Sequence, residues 1–327
     1  MGNPSTTTTA IHAPRRARRW AHWRAHPAAG AMAALVILVV ANAIWTPNFA
    51  TASNFWNMLW QVSPVLLVAT GMTLVIATGG IDLSVGSIMA IAGATAAVQL
   101  SHGVIAAIVI ALLVAAVLGA LNGVLVAREG IQPIVVTLAT LIAGRGLAQV
   151  LSHGGQLIAI DNRTFAVLGQ GHLGPVPIPV MLALAVAAGT AFVLHATPFG
   201  RYVVAVGGNR AAARLAGVPV WRTLVLVYVV SGALAGLAGL TDVARVNASD
   251  AATVGLNIEL DAIAATVVGG TLLVGGRASV FGTVVGALVM QVIATSFNML
   301  LIPYAWSLLF KAVIIVTAVF LQRAARA

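Results

Sequence analysis

The sequence predicts an all-α membrane protein with about ten transmembrane helices and both termini in the cytoplasm. Of its 327 residues, 60% are hydrophobic and only 7% are charged, whereas soluble domains carry about 25% charged residues. So few charges cannot cover a water-facing surface of this size, and we therefore expect the lipid bilayer to contact most of it. The apolar residues also fall into runs of the roughly 20 residues that cross a bilayer.

Ten apolar runs follow one another along the chain. In order, they cover residues 28–45, 56–78, 83–100, 104–127, 133–151, 178–196, 223–244, 260–274, 280–300 and 304–321. We predict a single membrane domain over residues 28–322, between a disordered basic tail at 1–27 and a short tail at 323–327. Ala41-Asn42-Ala43 resembles a signal-peptidase site, but the preceding apolar run is long for a signal peptide, so we expect it to be retained.

The distribution of arginines along the sequence predicts how the chain is oriented across the membrane. Five of them precede the first run, which places the N-terminus in the cytoplasm under the positive-inside rule. With ten spans, Arg128, Arg277 and the loop 197–222, which has four arginines, then also fall in the cytoplasm. Because the positive charge follows topology, we expect no nucleic-acid binding despite the formal charge of +10.

The sequence offers no catalytic or metal-binding motif. There is no cysteine and no HxxH or HExxH pair. A phosphate-binding loop ends in Gly-Lys-Ser/Thr, but the one lysine, Lys311, follows Phe310. We therefore predict no enzyme activity, no metal and no cofactor in this chain, and a source of energy in another chain or an ion gradient.

A first glycine-rich segment, GGIDLSVGS at residues 79–87, breaks the second span, and Asp82 or Ser84 can cap the next helix. It is either a tight hairpin at the cytoplasmic interface or a break that lines a transport path. The candidates for a path that carries a neutral solute are Gly79, Gly80, Asp82, Ser84, Ser87, Asn122, Gln149, Thr266 and Asn298. The side chains among them can equally bond a carbonyl within their own helix pair.

The loop 197–222 forms a second unusual segment. Asn209 and Gly217 bracket a short predicted helix that presents Arg210 and Arg214 on one face. The spacing of the two arginines is consistent with two roles for this helix. It is either a docking site for a protein or a helix that rests on anionic lipid headgroups. A third segment ends in GGTLLVGGR, which resembles GGIDLSVGS and suggests an internal repeat.

Four charged residues are predicted in the outer half of the membrane. We hypothesise that Arg145 and Lys311 are neutralised by Glu259 and Asp261. No chain of acidic residues crosses the bilayer, which disfavours the main alternative, an ion-coupled secondary transporter of a small polar solute. A passive channel is a third possibility, but no pore-lining ring of charges is present.

Three strings carry a family resemblance, GMTLVIATGGIDLSVGSIMAIAGA, GRYVVAVGGNRAAARLAGVPV and ELDAIAATVVGGTLLVGGR. They resemble the permeases of bacterial monosaccharide ABC importers of the ribose, xylose and galactofuranose type, over about residues 45–321. The string IQPIVVTLATLIAGRGLAQVL is most similar to the galactofuranose type. The resemblance implies sugar import across the inner membrane and a ten-helix fold in which spans two to five and seven to ten are inverted halves.

The resemblance also implies partners. They are a second permease subunit, identical or different, two cytoplasmic ATPase subunits that bind ATP and Mg²⁺, and a periplasmic sugar-binding protein. It assigns ATPase coupling to the loop 197–222, at Gly200, Arg201, Gly208, Asn209, Arg210, Ala212, Arg214 and Gly217. The external loop 152–177 either meets the binding protein or is a connector, and the sugar itself is not specified by these motifs.

Overall fold

The computed structural model describes residues 28–324, so the predicted tail at 1–27 and residues 325–327 lie outside it. Helices form most of this part of the chain. They are α1 (Ala29–Trp45), α2 (Ala52–Ala77), α3 (Val85–Gln99), α4 (Val104–Ala127), α5 (Pro133–Leu151), α6 (Arg163–Gln170), α7 (Ile178–Ala196), α8 (Pro198–Gly208), α9 (Arg210–Leu215), α10 (Val220–Val246), α11 (Ile258–Val268), α12 (Val280–Met299) and α13 (Tyr304–Ala324). A 3₁₀ turn, Leu100–His102, extends α3.

A helix occupies each of the ten predicted spans. Within residues 28–324, seven helical segments are long and apolar enough to cross a membrane, namely α2, α3 with its 3₁₀ turn, α4, α5, α7, α10 and α12. Helix α1 and the apolar part of α13 (Ala305–Thr317) are shorter. The helical, membrane-spanning fold class is therefore confirmed.

The predicted eighth span, residues 260–274, is only partly helical. Helix α11 has 11 residues, which is about 16 Å at 1.5 Å per residue and half the thickness of the hydrocarbon core. It ends at Val268, because Gly270 takes a φ of +91° that a right-handed helix does not contain. Gly269 packs on Gly282 so tightly that an added Cβ would overlap its carbonyl. The chain continues as irregular backbone to Ser279, an arrangement tolerated at membrane depth where protein surrounds it.

The helix starts follow local rules. Pro133 and Pro198 stand at the first positions of α5 and α8, where a missing N–H costs no helical hydrogen bond. The hydroxyl of Thr51 accepts a hydrogen bond from Asn54 N and caps α2.

Helix α10 lies at the centre of the fold and packs against α2, α3 and α4. Small residues allow these helices to approach closely. A Cβ at Gly119 in α4 would overlap Tyr228 O, and one at Gly232 in α10 would lie 2.5 Å from Ala115 O. The opposite side of α4 is apolar and exposed, as expected for a helix that faces lipid on that side.

Two faces of the molecule carry the connections. The α6 face contains α6, the ends of α5 and α10, and the strands β1 (Ile158–Ala159), β2 (His172–Leu173), β3 (Val176–Pro177) and β4 (Ala248–Ser249). Antiparallel pairing of β1 with β4 joins the loop after α5 to the segment after α10, and β2 pairs with β3. The α9 face, at the other end of the helices, contains α8, α9 and the ends of α2 and α7.

Candidate functional site

The loop 197–222 is more ordered than its sequence suggested. It contains α8 as well as the predicted short helix, α9. The side chain of Asn209 accepts a hydrogen bond from Ala212 N at 3.0 Å, so the predicted N-cap is confirmed. Gly217, at a φ of +79°, follows the end of α9. Sequence reasoning missed α8, although Thr197-Pro198 is a typical helix start.

Helix α9 presents a basic and apolar surface to solvent. Arg210 and Arg214 are exposed, and Leu215 beside them is 90% exposed. On the other side of the helix, Ala213 is buried and packs in a small cluster with Val206 and two residues of α10. The exposed side of α9 therefore suits a partner that offers acidic groups around an apolar contact.

The other predicted coupling residues divide into two groups. Arg201, Gly208 and Ala212 are exposed, as the arginines of α9 are. Gly200 is instead buried, and a Cβ there would overlap the backbone of Leu194 at the end of α7. The first group is available for docking, whereas Gly200 fixes the angle at which α8 leaves α7.

The two glycine-rich hairpins that the sequence analysis related to each other lie in contact. Gly276 N donates a hydrogen bond to Ala77 O at 2.9 Å, which joins the end of α2 to the segment between α11 and α12. The two hairpins therefore lie on the same side of the molecule. Both adjoin the α9 face, because a Cβ at Gly207 of α8 would overlap Ala77 O.

A buried polar network surrounds the first hairpin. The carboxylate of Asp82 accepts hydrogen bonds from the backbone N–H and hydroxyl of Ser84 and from Ser231 Oγ at 2.9 Å. Asn122 Nδ2 donates to Ser84 Oγ at 2.8 Å, and Thr140 Oγ1 donates to Asn122 Oδ1 at 2.6 Å. Each donor thus has an acceptor, and the chain of bonds ties α3 to α4, α5 and α10.

Sequence reasoning missed two members of this network and a neighbour of it. Ser231 and Thr140 lie inside apolar helices, and their polar character was the only available signal. The hydroxyl of Tyr228 is fully buried and has no hydrogen-bond partner among residues 28–324. It lies against Gly80, where an added Cβ would come within 2.8 Å of it.

The remaining path candidates are also bonded within the chain or lie at its surface. Thr266 Oγ1 donates to Ala262 O at 2.7 Å, and Ser87 Oγ donates to Ser84 O at 2.9 Å. Gln149 and Asn298 are exposed. Gly79 is exposed and Gly80 is buried in the hairpin. A path-lining role for this set stays a prediction.

The two membrane cations find different partners. Lys311 Nζ lies 2.7 Å from Asp261 Oδ1. Arg145 instead donates to three backbone carbonyls in the turn before α11, those of Ala251, Val254 and Gly255, at 2.7 to 3.3 Å. Carbonyl oxygens can satisfy a buried guanidinium as carboxylates do.

Glu259 lies near Arg145 and interacts with it electrostatically. It is buried, and its Oε2 atom has no hydrogen-bond partner in the described part of the chain. Among residues 28–324, Arg145 and Glu259 form no ion pair like the one that joins Lys311 to Asp261, so neutralisation of Arg145 by Glu259 stays a prediction. Within residues 28–324, no group of three His, Cys, Asp or Glu side chains is placed to hold a metal ion.

The long apolar helices found within residues 28–324 define a polytopic membrane protein. The chain belongs to the family described as branched-chain amino acid transport system, permease component, whose model matches residues 54–319. It is thus a multi-pass protein of the bacterial inner membrane. The resemblance to importer permeases that the motifs indicated is confirmed.

Curated relatives match almost the whole chain. The ribose import permease protein of Haemophilus influenzae is 40% identical over 291 residues, 88% of this chain and 90% of the relative. That of Escherichia coli K12 is 39% identical over 294 residues, covering 88% and 91%. The galactofuranose transporter permease protein of Escherichia coli K12 is 39% identical over 324 residues, covering 98% and 93%. No solved structure gives a significant match.

Proposed function

We propose that this chain is the membrane-spanning permease subunit of an ABC importer that moves a monosaccharide from the periplasm to the cytoplasm. The observation that carries the proposal is the near full-length similarity to sugar permeases, among them one for galactofuranose and two for ribose. The family description names branched-chain amino acids, but the sugar permeases are individual relatives with more than a third of their residues identical.

The energy for transport comes from a separate subunit in this proposal. The sequence has no Gly-Lys-Ser/Thr segment, so ATP and Mg²⁺ are bound by a cytoplasmic ATPase and not by this chain. The exposed side of α9, with Arg210, Arg214 and Leu215, is the docking surface for that ATPase. Guanidinium groups form strong paired hydrogen bonds with carboxylates, so we expect an acidic cleft on the partner.

Ten spans with both termini in the cytoplasm give the importer its orientation in this proposal. The α9 face then lies in the cytoplasm and carries Arg201, Arg210 and Arg214, in agreement with the positive-inside rule. The α6 face lies in the periplasm, where a sugar-binding protein would dock. A second permease subunit would cover part of the exposed apolar helix surface, and spans two to five and seven to ten would form inverted halves.

Co-purification tests the proposal. The tagged chain is extracted from its native host in mild detergent, and proteins that remain bound are identified by mass spectrometry. We expect an ATPase subunit with the wild type, and its loss when Arg210 and Arg214 are both changed to Glu, because reversed charges repel an acidic cleft.

The matched control is Arg163→Glu, which reverses one exposed charge on the α6 face. This variant should retain the ATPase. Recovery of the wild-type chain without any ATPase, together with uptake driven by an ion gradient, would support the secondary-transporter alternative instead.

A further inference from the structure

Three backbone segments meet directly where the α9 face joins the membrane helices. They are residues 77–80 at the end of α2, residues 207–208 at the end of α8, and residues 274–276 between α11 and α12. We call this contact the glycine junction. It belongs to both glycine-rich hairpins and to the cytoplasmic loop, although these segments lie far apart in the sequence.

The glycine junction has no room for side chains. A Cβ at Gly207 would overlap Ala77 O and lie 2.5 Å from Gly276 N. A Cβ at Gly275 would lie 2.8 Å from both Gly207 O and Gly79 N. The hydrogen bond from Gly276 N to Ala77 O closes the contact at 2.9 Å. Backbone therefore touches backbone from three directions.

Gly208, the residue after Gly207, has space for a side chain. Nothing lies within 4 Å of a Cβ placed on Gly208, so that position tolerates a methyl group that Gly207 does not. An added Cβ is thus excluded at Gly207 and tolerated at Gly208, although the backbone of Gly208 also lies in the junction. This pair of adjacent glycines provides a test and its control one residue apart.

Each segment of the glycine junction adjoins a different structural element. Residues 77–80 continue into Asp82 and its network at the start of α3. Residues 274–276 precede α12 and follow α11, the half-length helix. Residues 207–208 connect α8 to α9, the exposed helix with Arg210 and Arg214. Through these contacts, the loop that contains α9 touches the segment that leads into α3 and the segment that leads into α12.

We propose that the glycine junction transmits displacement of the α8–α9 loop directly to both glycine-rich hairpins, with Gly207 as the positioning residue. Tightly packed contacts shift between discrete arrangements and are not compressed gradually. Backbone contact without flexible side chains therefore passes on a small movement with little loss. The link to transport rests on the proposed function, in which α9 docks on the ATPase.

Hydrogen–deuterium exchange tests the transmission without any partner protein. In the purified chain, Gly207→Ala should increase amide exchange in peptides that cover residues 77–80 and 274–276, because the added methyl pushes the loop away from both. Gly208→Ala should leave these peptides as in the wild type. A change confined to the α8–α9 loop in Gly207→Ala would overturn the proposal.

A second variant covers the case in which Gly207→Ala fails to insert or fold. Gly276→Ala is milder, because its Cβ would lie 3.1 Å from Gly208 Cα. Its φ of +79° adds strain within its own segment, so exchange is measured in peptides from residues 198–209. Faster exchange there supports transmission, and unchanged exchange contradicts it.

The ratio of sugar uptake to ATP hydrolysis is a measurement that a loss of stability alone would not change. In liposomes with the ATPase and binding protein, Gly207→Ala should keep the ATPase bound but lower sugar uptake per ATP hydrolysed more than about tenfold. A merely destabilised chain loses uptake and stimulated hydrolysis together and would contradict the proposal. Gly189→Ala, in open space on α7, should stay within about twofold of the wild type.

The two measurements separate this inference from the proposed function. If the wild-type chain binds no ATPase, the proposed function fails, while the exchange experiment still decides whether the loop and the hairpins move together.

Discussion

A buried carboxylate organises the first hairpin at the scale of single residues. Asp82 is fully buried and makes no ion pair with any cation among residues 28–324. Its oxygen atoms instead accept hydrogen bonds from the backbone N–H and hydroxyl of Ser84 and from the hydroxyl of Ser231. Since a buried polar group without a partner costs about 1–3 kcal/mol, the network favours this one arrangement of α3 and α10.

Removal of the carboxylate tests this role. Asp82→Ala leaves donors of Ser84 and Ser231 without an acceptor, and we expect the free energy of unfolding to fall by about 3 kcal/mol. Asp82→Asn retains one acceptor oxygen and should cost less. Thermal unfolding in detergent measures both effects. Asp161→Ala is the control, because Asp161 is exposed on the α6 face. Equal midpoints for Asp82→Ala and Asp161→Ala would show that the network contributes nothing.

The ion pair between Lys311 and Asp261 is a second residue-scale feature. Its side chains are 10% and 24% exposed, so the pair is largely removed from solvent and each partner depends on the other. We expect Lys311→Met and Asp261→Leu to destabilise the chain singly and the double substitution to cost less than their sum. The interaction energy in the cycle should be about 1–3 kcal/mol. Additive effects would mean that the pair does not couple.

Sequence could predict the local contacts of these residues but not the distant ones. The side chain of Asn209 caps α9 by accepting a hydrogen bond from Ala212 N, three residues further along the chain. An asparagine in front of a helical segment is enough to predict such a cap. The bond from Ser231 to Asp82 joins positions 149 residues apart, and nothing in either segment specifies the other. The same limit applies to Arg145, for which acidic partners were expected and backbone carbonyls more than 100 residues away were found.

The half-length helix α11 is the main feature at the scale of elements. It begins after a turn at residues 250–257 and ends before an irregular segment, so neither end continues as helix across the membrane. Arg145 donates to carbonyls of Ala251, Val254 and Gly255 in that turn. Helix α5 therefore holds the turn before α11 in place through the side chain of Arg145.

Replacement of Arg145 tests how the turn is held. We expect Arg145→Met to leave the buried carbonyls of Ala251 and Val254 without this donor, whereas Gly255 O keeps a bond from Ile258 N. Stability should fall by about 2 kcal/mol. Amide exchange should increase in residues 250–257 more than elsewhere. Arg163→Met, which removes an exposed arginine, is the matched control. Uniform exchange across the chain in Arg145→Met would contradict the local role.

Helix positions were predictable at this scale, whereas one helix length was not. Apolar runs and proline or cap residues locate α4, α5 and α7 within a residue of the structure. For the eighth span, hydropathy continued to residue 274 while the helix ended at Val268. Hydropathy cannot detect where this helix ends, because an irregular apolar segment packed within the protein has the same composition as a helix in lipid.

At the scale of the whole molecule, the connections divide between two faces. Strand pairing of β1 with β4 joins the periplasmic connections of the proposed topology, and the glycine junction joins the cytoplasmic ones. Trp60 Nε1 also donates to Gly169 O at 2.7 Å, which fixes α6 to α2 on the α6 face. Composition and arginine distribution predicted this division, but the contacts within each face depend on tertiary packing that no single segment encodes.

The measurement that tests the central claim most directly is sugar uptake by reconstituted liposomes. The chain and its co-purifying ATPase are placed in the membrane with ATP in the lumen, and the binding protein with radiolabelled ribose or galactofuranose outside. We predict uptake of at least one sugar that requires luminal ATP and is unaffected by ionophores. Uptake without ATP that follows a proton or sodium gradient and stops with ionophores would contradict the assignment as an ABC importer permease.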